Sequence, residues 1–267
     1  IGFGSTYRIH ETGALIFVNA SFPVLEEEQR PSPERVFGEG YCRTPFAGRS
    51  LVNISAMSFG AISQPAVRAL SRGAAAAGCW LDTGEGGLSP YHLEGGCDII
   101  FQLGTAKYGV RDENGHLSDE RLRALAAHET VRAFEIKLSQ GAKPGKGGVL
   151  PGSKVTPEIA VIRGIAEGRD SLSPNRHPDI ASIDELLDMV EHVRTVTGKP
   201  VGVKTAIGGT RFMDELRAAI SRRGLSAAPD FLTIDGGEGG SGAAPQALAD
   251  HMALSIDEAL PLVADAL

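Results

Sequence analysis

Six short apolar runs punctuate the chain: SLVNISAM (50–57), CWLDT (79–83), DIIFQLGT (98–105), AFEIKLS (133–139), PVGVKTAI (200–207) and DFLTIDG (230–236). Each is partly β-branched or aromatic, and most close on a glycine or a polar cluster. That is the pattern of strands buried on both faces. Amphipathic stretches lie between them. Residues 65–78 open on Pro65, a good first helical position, and stop at Gly78. Residues 182–197 place Ser182 three positions before Glu185, a capping box, and set Ile183, Leu186, Leu187 and Val190 on one stripe. Residues 211–223 and 255–267 also read as helices, the latter with Ser255 and Glu258 as a second box.

Strands alternating with helices predict parallel βαβ units. Glycines gather just after the strands: Gly84, Gly86 and Gly87; Gly141 to Gly148; Gly208 and Gly209; Gly236, Gly237, Gly239, Gly240 and Gly242. In α/β proteins ligands bind at the carboxyl ends of strands, where backbone must approach them closely. No GxGxxG follows the first run, which favours a barrel over a doubly wound sheet. The expected fold is therefore an α/β, TIM-type (β/α)8 barrel. Six strands leave it short by two, so the last two βα units are expected to be missing from this fragment. Residues 1–49 are expected to form an N-terminal extension packing on a barrel of residues 50–267.

Composition narrows the function classes. The chain of 267 residues is 42% hydrophobic and 22% charged, which excludes wholesale disorder. A formal charge of -7 argues against a general nucleic-acid binder. Cys42, Cys79 and Cys97 form no CxxC pair and read as reduced thiols. The apolar stretch 14–25 is broken by Asn19 and Pro23 and is too short for a bilayer span. No signal peptide is visible, so a cytoplasmic location is expected; the chain opens on Ile1, which leaves an upstream anchor open.

Against that acidic background, residues 133–155 are unusual. AFEIKLSQGAKPGKGGVLPGSKV holds five glycines, two prolines and four lysines, Lys137, Lys143, Lys146 and Lys154. It opens a segment, 140–181, about twice the usual strand-to-strand spacing, and loops of that length are commonly lids or binding loops. Free glycine N–H groups and lysine ammoniums suit a carboxylate or phosphate, although surface lysines on a solvated loop would read the same way. Lys137 is different, because a lysine inside a strand needs a reason to be buried.

The stretch IKLSQGAKPGKGGVLPGSKV resembles the signature loop of the FMN-binding synthase domain of glutamate synthases. SAMSFGAIS (55–63), DTGEGG (82–87), FQLGTAKYGV (101–110), SPNRHPDIASIDEL (173–186), VGVKTAIGG (201–209) and IDGGEGGSGAAP (234–245) follow the same family in order. The resemblance covers about residues 50 to 260. It implies a (β/α)8 barrel in which reduced FMN delivers a hydride to 2-iminoglutarate, formed from 2-oxoglutarate and ammonia. By position, Glu85, Lys137, Gln140 and Lys143 resemble the catalytic residues around the 2-oxo acid. Glu85 could manage protons at the imine nitrogen, bind ammonia, or simply hold loop N–H groups. Ala56, Met57, Ser58, Gln102 and Lys204 resemble the flavin-ring contacts, Lys204 near the N1–C2 region. Gly236, Gly237, Gly239, Gly240 and Ser241 resemble the loop near the flavin phosphate. His177 and Asp179 match the family's loop before the capped helix, where they read as loop-ordering residues first and substrate contacts second. No metal site is implied, and the cysteines lack the family's iron–sulfur spacing.

Two positions depart from the family. Val149 stands where glutamate synthases carry a glutamine, and the loop reads GKGG rather than GEGG, so Lys146 replaces an acid. Both changes bear on which 2-oxo dicarboxylic acid is preferred. The implied partners are that acid, ammonia or an amine, and an electron-donor protein or NAD(P)H-linked subunit; a homo-oligomer is compatible with the sequence. The alternative is a catalytically inactive barrel serving as an anion- or partner-binding module.

Overall fold

The computed structural model describes residues 20–28, 34–139, 147–239 and 245–267. Residues 1–33 and 34–267 form two separate compact units. In the first, the described residues hold one 3-10 turn, Glu26–Glu28. The second carries everything below.

Its elements, in chain order, begin with β1 (Arg35–Phe37), β2 (Phe46–Gly48), α1 (Gln64–Ala77), β3 (Leu81–Asp82), α2 (Pro90–Leu93) and β4 (Ile99–Leu103). Next come α3 (Asp119–Ala126), β5 (Val131–Lys137), β6 (Val149–Leu150), α4 (Pro157–Arg163) and β7 (Ser171–Leu172). The chain continues through α5 (Ile183–Thr197), β8 (Val201–Ala206), α6 (Arg211–Arg223), β9 (Leu232–Asp235), α7 (Gln246–His251) and α8 (Ile256–Ala266).

Strands β3, β4, β5, β8 and β9 make one parallel sheet in that order, so every crossover adds its strand on the same side. That is the order of a barrel wall, not of a doubly wound sheet. The sheet is strongly curled. Thr233 on β9 donates to Glu135 on β5 at 2.5 Å across the intervening β8. Neighbouring strands lie about 4.8 Å apart, so side chains two strands apart meet only when the wall bends toward them.

The expected first strand is shorter than its sequence suggested. Within 50–57 only Ile54 bridges the sheet, beside Leu81, held by Ile54 N–H to the Trp80 carbonyl and Asp82 N–H to the Ile54 carbonyl. It lies at the sheet edge, pairs on one side only, and leaves Leu51 and Val52 exposed. The long 140–181 segment, insofar as it is described, is not a bare loop. It folds as the antiparallel pair β6–β7 around α4, whose Ile159 and Ala160 pack with Phe59 and Val67.

The helices follow their caps. In α1 the chain leaves the helix at Gly78 with φ +66°, a left-handed turn that glycine adopts without strain. In α5 the Ser182 hydroxyl accepts from Glu185 N–H, and Glu185 Oε2 accepts from Ala181 N–H at 2.6 Å. Leu186, Leu187, Val190 and Val193 then turn inward on one face. Leu186, Val190 and Val193 pack with the outward strand residues Phe101, Phe134, Ile136, Val201 and Val203, and Leu187 packs with Leu216 and Ala219 of α6. Burial of each such side chain stabilises the fold by about 1.5–3 kcal/mol relative to exposure.

The inward residues of the wall divide by height. At the amino ends of the strands Ile100 and Ala133 pack with Phe46, Phe37, Trp80 and Phe231. The β1–β2 hairpin thus plugs the lower end of the half-barrel with aromatic rings. Higher up the inward positions turn polar.

One buried ion pair fastens α5 to the start of β8. Asp230 accepts from Arg194 Nε at 3.1 Å and from Val201 N–H at 2.7 Å, with both charged side chains under 10% exposed (8% and 4%). Breaking such a pair from one side strands a buried charge. Asp230→Ala is expected to destabilise the protein by about 3–5 kcal/mol, measured by urea denaturation. A loss under about 1 kcal/mol would show that Arg194 finds another partner.

Candidate functional site

Side chains at successive inward positions of β5 alternate by two, so Glu135 and Lys137 share a face. Parallel register sets Gln102 beside Glu135, Lys137 beside Lys204 and Lys204 beside Thr233. All four charged or amide groups are buried: Gln102, Glu135, Lys137 and Lys204. Two lysines side by side would repel, and the same interior also holds acids. Lys137 Nζ pairs with Glu85 Oε2 at 3.1 Å. Beneath Lys204 lie Glu135 and Asp82.

Glu85 is seated by the backbone around it. A Cβ at Gly104 would fall 2.6 Å from the Glu85 Cβ, so only glycine lets that carboxylate lie over the end of β4. On the other flank, Gly148 comes close to Glu85 Oε1. Lys137, expected inside the barrel, and Glu85, expected after β3, therefore meet directly.

The segment expected to face a flavin ring lies at the sheet edge. Met57 N–H donates to the Asp82 carbonyl at 3.1 Å, holding Ala56, Met57 and Ser58 across the end of β3. Ser58 is pressed against Gly84 and Gly86. Its Oγ is buried with no hydrogen-bond partner, and so is Oε1 of Gln102. Gln102 is fixed by its other end, because Nε2 donates to Glu135 Oε1 at 2.7 Å. Since a carboxylate accepts, the amide must present its NH2 to Glu135 and turn its carbonyl away. Of the expected phosphate loop, Gly236, Gly237 and Gly239 follow β9. Gly237 N–H donates to the Leu254 carbonyl and Gly239 N–H to that of Gly236. Gln140, Lys143, Lys146, Gly240 and Ser241 lie outside the described residues.

Two buried histidines brace these segments from behind. His92 Nδ1 accepts from Ser89 N–H at 3.1 Å, so the proton is on Nε2, which donates to the Met57 carbonyl at 2.8 Å. His177 Nε2 donates to the Lys137 carbonyl at 3.0 Å, and its Nδ1 is a buried atom without a partner. The His92 ring is neutral by geometry, and burial lowers the pKa of both histidines below the ordinary imidazole range. The loop that carries His177 is clamped by Lys107, whose ammonium meets Asp179 at 2.9 Å, and by Thr105, which donates to the Pro174 carbonyl. Burial works against the Asp179 carboxylate, but the hydrogen bond and charge of Lys107 outweigh it and hold the pKa below its usual value. His177 and Asp179 thus act on loop order, as their positions suggested.

Sequence reading overlooked Asp82, Glu135, His92 and Thr233 as parts of this interior. Glu135 had a signal: in EIK, if Lys137 faces the barrel, Glu135 two residues earlier must face it too. His92 had a weaker one, as the N3 residue after Ser89, whose helix α2 shows both capping hydrogen bonds.

A curled parallel wall with helices outside, an aromatic plug below and charge gathered at the strands' carboxyl ends defines an α/β-barrel protein of TIM type. The chain belongs to the glutamate synthase family: the profile described as a conserved region in glutamate synthase matches residues 12–267. A glutamate synthase large subunit-like protein, YerD, of Bacillus subtilis is 45% identical over 234 residues, covering 87% of this chain and 44% of that protein. An archaeal-type glutamate synthase [NADPH] of Thermotoga maritima is 39% identical over 79% of this chain and 38% of its own length. The chain therefore spans less than half the length of these relatives. A lactate oxidase structure from Pediococcus acidilactici aligns at 14% identity and a TM-score of 0.39, over 89% of this chain and 76% of that one. Among the described residues no helix is long and apolar enough to cross a membrane.

The neutral histidines set a pH dependence. A base whose folded pKa is depressed binds fewer protons folded than unfolded, so stability is full above the unfolded pKa and falls as pH drops through it. Melting temperature is expected to fall between about pH 7 and pH 5, and His92→Asn and His177→Asn to flatten that fall. If the variants keep the wild-type slope when each is compared with its parent, the histidines are not held neutral.

Proposed function

We propose that this chain is the FMN-binding barrel of a glutamate synthase-like oxidoreductase. The reaction is reductive amination of 2-oxoglutarate or a related 2-oxo acid to the amino acid, L-glutamate in the first case. The observation that supports it most is the buried lysine pair, Lys137 and Lys204, side by side at the carboxyl end of the wall with Glu85 on Lys137. Buried ammoniums are costly unless they serve an anion, and their place is where α/β barrels bind ligands. The names of the relatives point the same way.

The interior suits a flavin. Gln102 Oε1 and Ser58 Oγ are buried and unpartnered. A flavin ring edge carries an N–H that Gln102 can receive and carbonyls to which Ser58 can donate. Lys204 adds positive charge to the same buried interior. When bound, FMN supplies the hydride for the imine carbon.

The chain's own residues do the rest. Lys137 holds one substrate carboxylate, partly released from Glu85 as the anion enters. Glu85, freed at one oxygen, accepts a proton from the attacking amine nitrogen and returns it as the amine forms. Ammonia and the keto group give the imine and water; the imine, a hydride and a proton give the amino acid. Lys143 and Gln140, on the glycine-rich loop, supply further contacts to the acid. Electrons come from a donor protein or an NAD(P)H-linked subunit, and the location is cytoplasmic.

Val149 tunes which acid is taken. It sits on β6, directly after Gly148, which approaches Glu85, and is 62% exposed. An apolar side chain there offers no hydrogen bond to a distal carboxylate. Val149 is also the feature that favours the second reading, an inactive barrel that binds an anion or a partner.

The test is an absorbance titration of the protein with FMN, then 2-oxoglutarate, followed by turnover with ammonia and reduced flavin. Bound flavin, a shift on adding the acid, and a loss in kcat/KM of about 10²-fold or more in Lys137→Ala are expected. Flavin and acid binding without turnover would leave the binding module. No flavin binding would overturn the enzyme reading.

A further inference from the structure

The amide of Gln102 has a donor end and an acceptor end, so it can present opposite chemistry to a ligand depending on how it is turned. The side chain is buried on β4, 1% exposed, and its register neighbour on β5 is Glu135, 3% exposed. Gln102 Nε2 donates to Glu135 Oε1 at 2.7 Å, and Gln102 Oε1 is left buried without a partner. The group behind Glu135 holds the amide in that sense. Thr233 Oγ1, on β9, donates to Glu135 Oε2 at 2.5 Å. Both carboxyl oxygens therefore act as acceptors, one for each neighbouring strand's side chain.

Turning the amide over would bring its oxygen against Glu135 Oε1, two acceptors in contact in a buried layer. It would also take from Glu135 the donor that serves that oxygen, and a buried acceptor left unserved is costly. An ionised carboxylate is acceptor-only, whereas an amide of the same shape is not. With Thr233 donating to the carbonyl of such an amide, its NH2 would face Gln102, and Gln102 would have to answer with oxygen. What Gln102 shows to the interior is thus set by Glu135.

We propose that Glu135 is a positioning residue that locks the Gln102 amide with its carbonyl available to a ligand, so that this interior selects a ring edge bearing an N–H. It rests on the flavin reading above and deepens it. The edge selected is the imide of the flavin ring, an N–H between two carbonyls. Ser58 Oγ, the other buried flavin-facing candidate without a partner, can donate to a carbonyl of that ring. A ring without the N–H strands Gln102 Oε1 as a buried acceptor and is rejected for that reason.

The first measurement needs no flavin. In the ligand-free chain, proton–nitrogen NMR is expected to show the Gln102 NH2 pair, identified by its loss in Gln102→Met, with one proton shifted downfield and slow to exchange. Ordinary, fast-exchanging signals would overturn the locked amide. The second measurement is a pair of dissociation constants, by absorbance titration with FMN and with 3-methyl-FMN, which lacks the N–H. Wild type is expected to favour FMN by about 10- to 100-fold. In Glu135→Gln the amide turns over, and that preference is expected to fall by about 5-fold or more. A steric penalty of the methyl group would persist in the variant, so an unchanged preference would overturn the role of Glu135. Equal binding of the two compounds by wild type would overturn the selected edge while leaving the flavin reading intact. Binding of neither would overturn the flavin reading and the selected edge with it, and the amide signals then decide the lock alone. Should Glu135→Gln not fold, the wild-type signals and the wild-type preference decide.

Discussion

Glu135 is the residue on which the interior turns. A carboxylate inside a sheet is tolerated only when its lone pairs are filled, and here the filling groups come from β4 and β9, on either side of β5. Meeting them forces the wall to curl, because flat sheets hold residues two strands apart out of reach. The aromatic plug below does the same from the apolar side, since Phe37, Phe46, Trp80 and Phe231 fill a space that only a curved wall encloses. Curvature, polar satisfaction and the position of Gln102 are one constraint seen from three places.

The mouth above depends on that layer and on the braces behind it. Lys137 is held at its side chain by Glu85 and at its carbonyl by His177, so the loop 173–181 and the loop after β3 bear on the same residue. Met57 is held by His92 and by the Asp82 carbonyl. The excursion between β5 and α5 reaches back to the same edge. Arg163, buried on α4, donates to Ser171 on β7 and to the Phe59 carbonyl, and lies over the Tyr108 ring. Burial lowers its pKa, with Tyr108 and Glu85 opposing. The excursion is thus tied by hydrogen bonds to the backbone just beyond Ser58, which makes it part of the site's frame.

Much of this was legible in the sequence, for identifiable reasons. Five of the six apolar runs contribute strands to the sheet, and α5 begins directly after its Ser182 cap signal. The Ile54 run failed as a strand because pairing on one side needs fewer residues than the hydrophobic pattern supplied. The β1–β2 hairpin escaped notice because three-residue strands carry no periodicity. Of the residues gathered in the interior, Lys137, Glu85, Gln102 and Lys204 were singled out by resemblance, and Lys137 also by its oddity inside a strand. Asp82 and Glu135 were not, because partners on different strands are fixed by register and curl, which a linear reading does not contain.

The arrangement also constrains how the mouth can respond to an anion. Lys137 and Lys204 are register neighbours, and Lys137 has its own acid, Glu85, at the mouth. An anion that arrives above them competes with Glu85, which is 29% exposed, far more readily than with Glu135, which is sealed beneath. The Lys137–Glu85 pair is therefore the one that exchanges. That asymmetry in burial, more than the number of positive charges, decides where an anion can be received at this end of the wall.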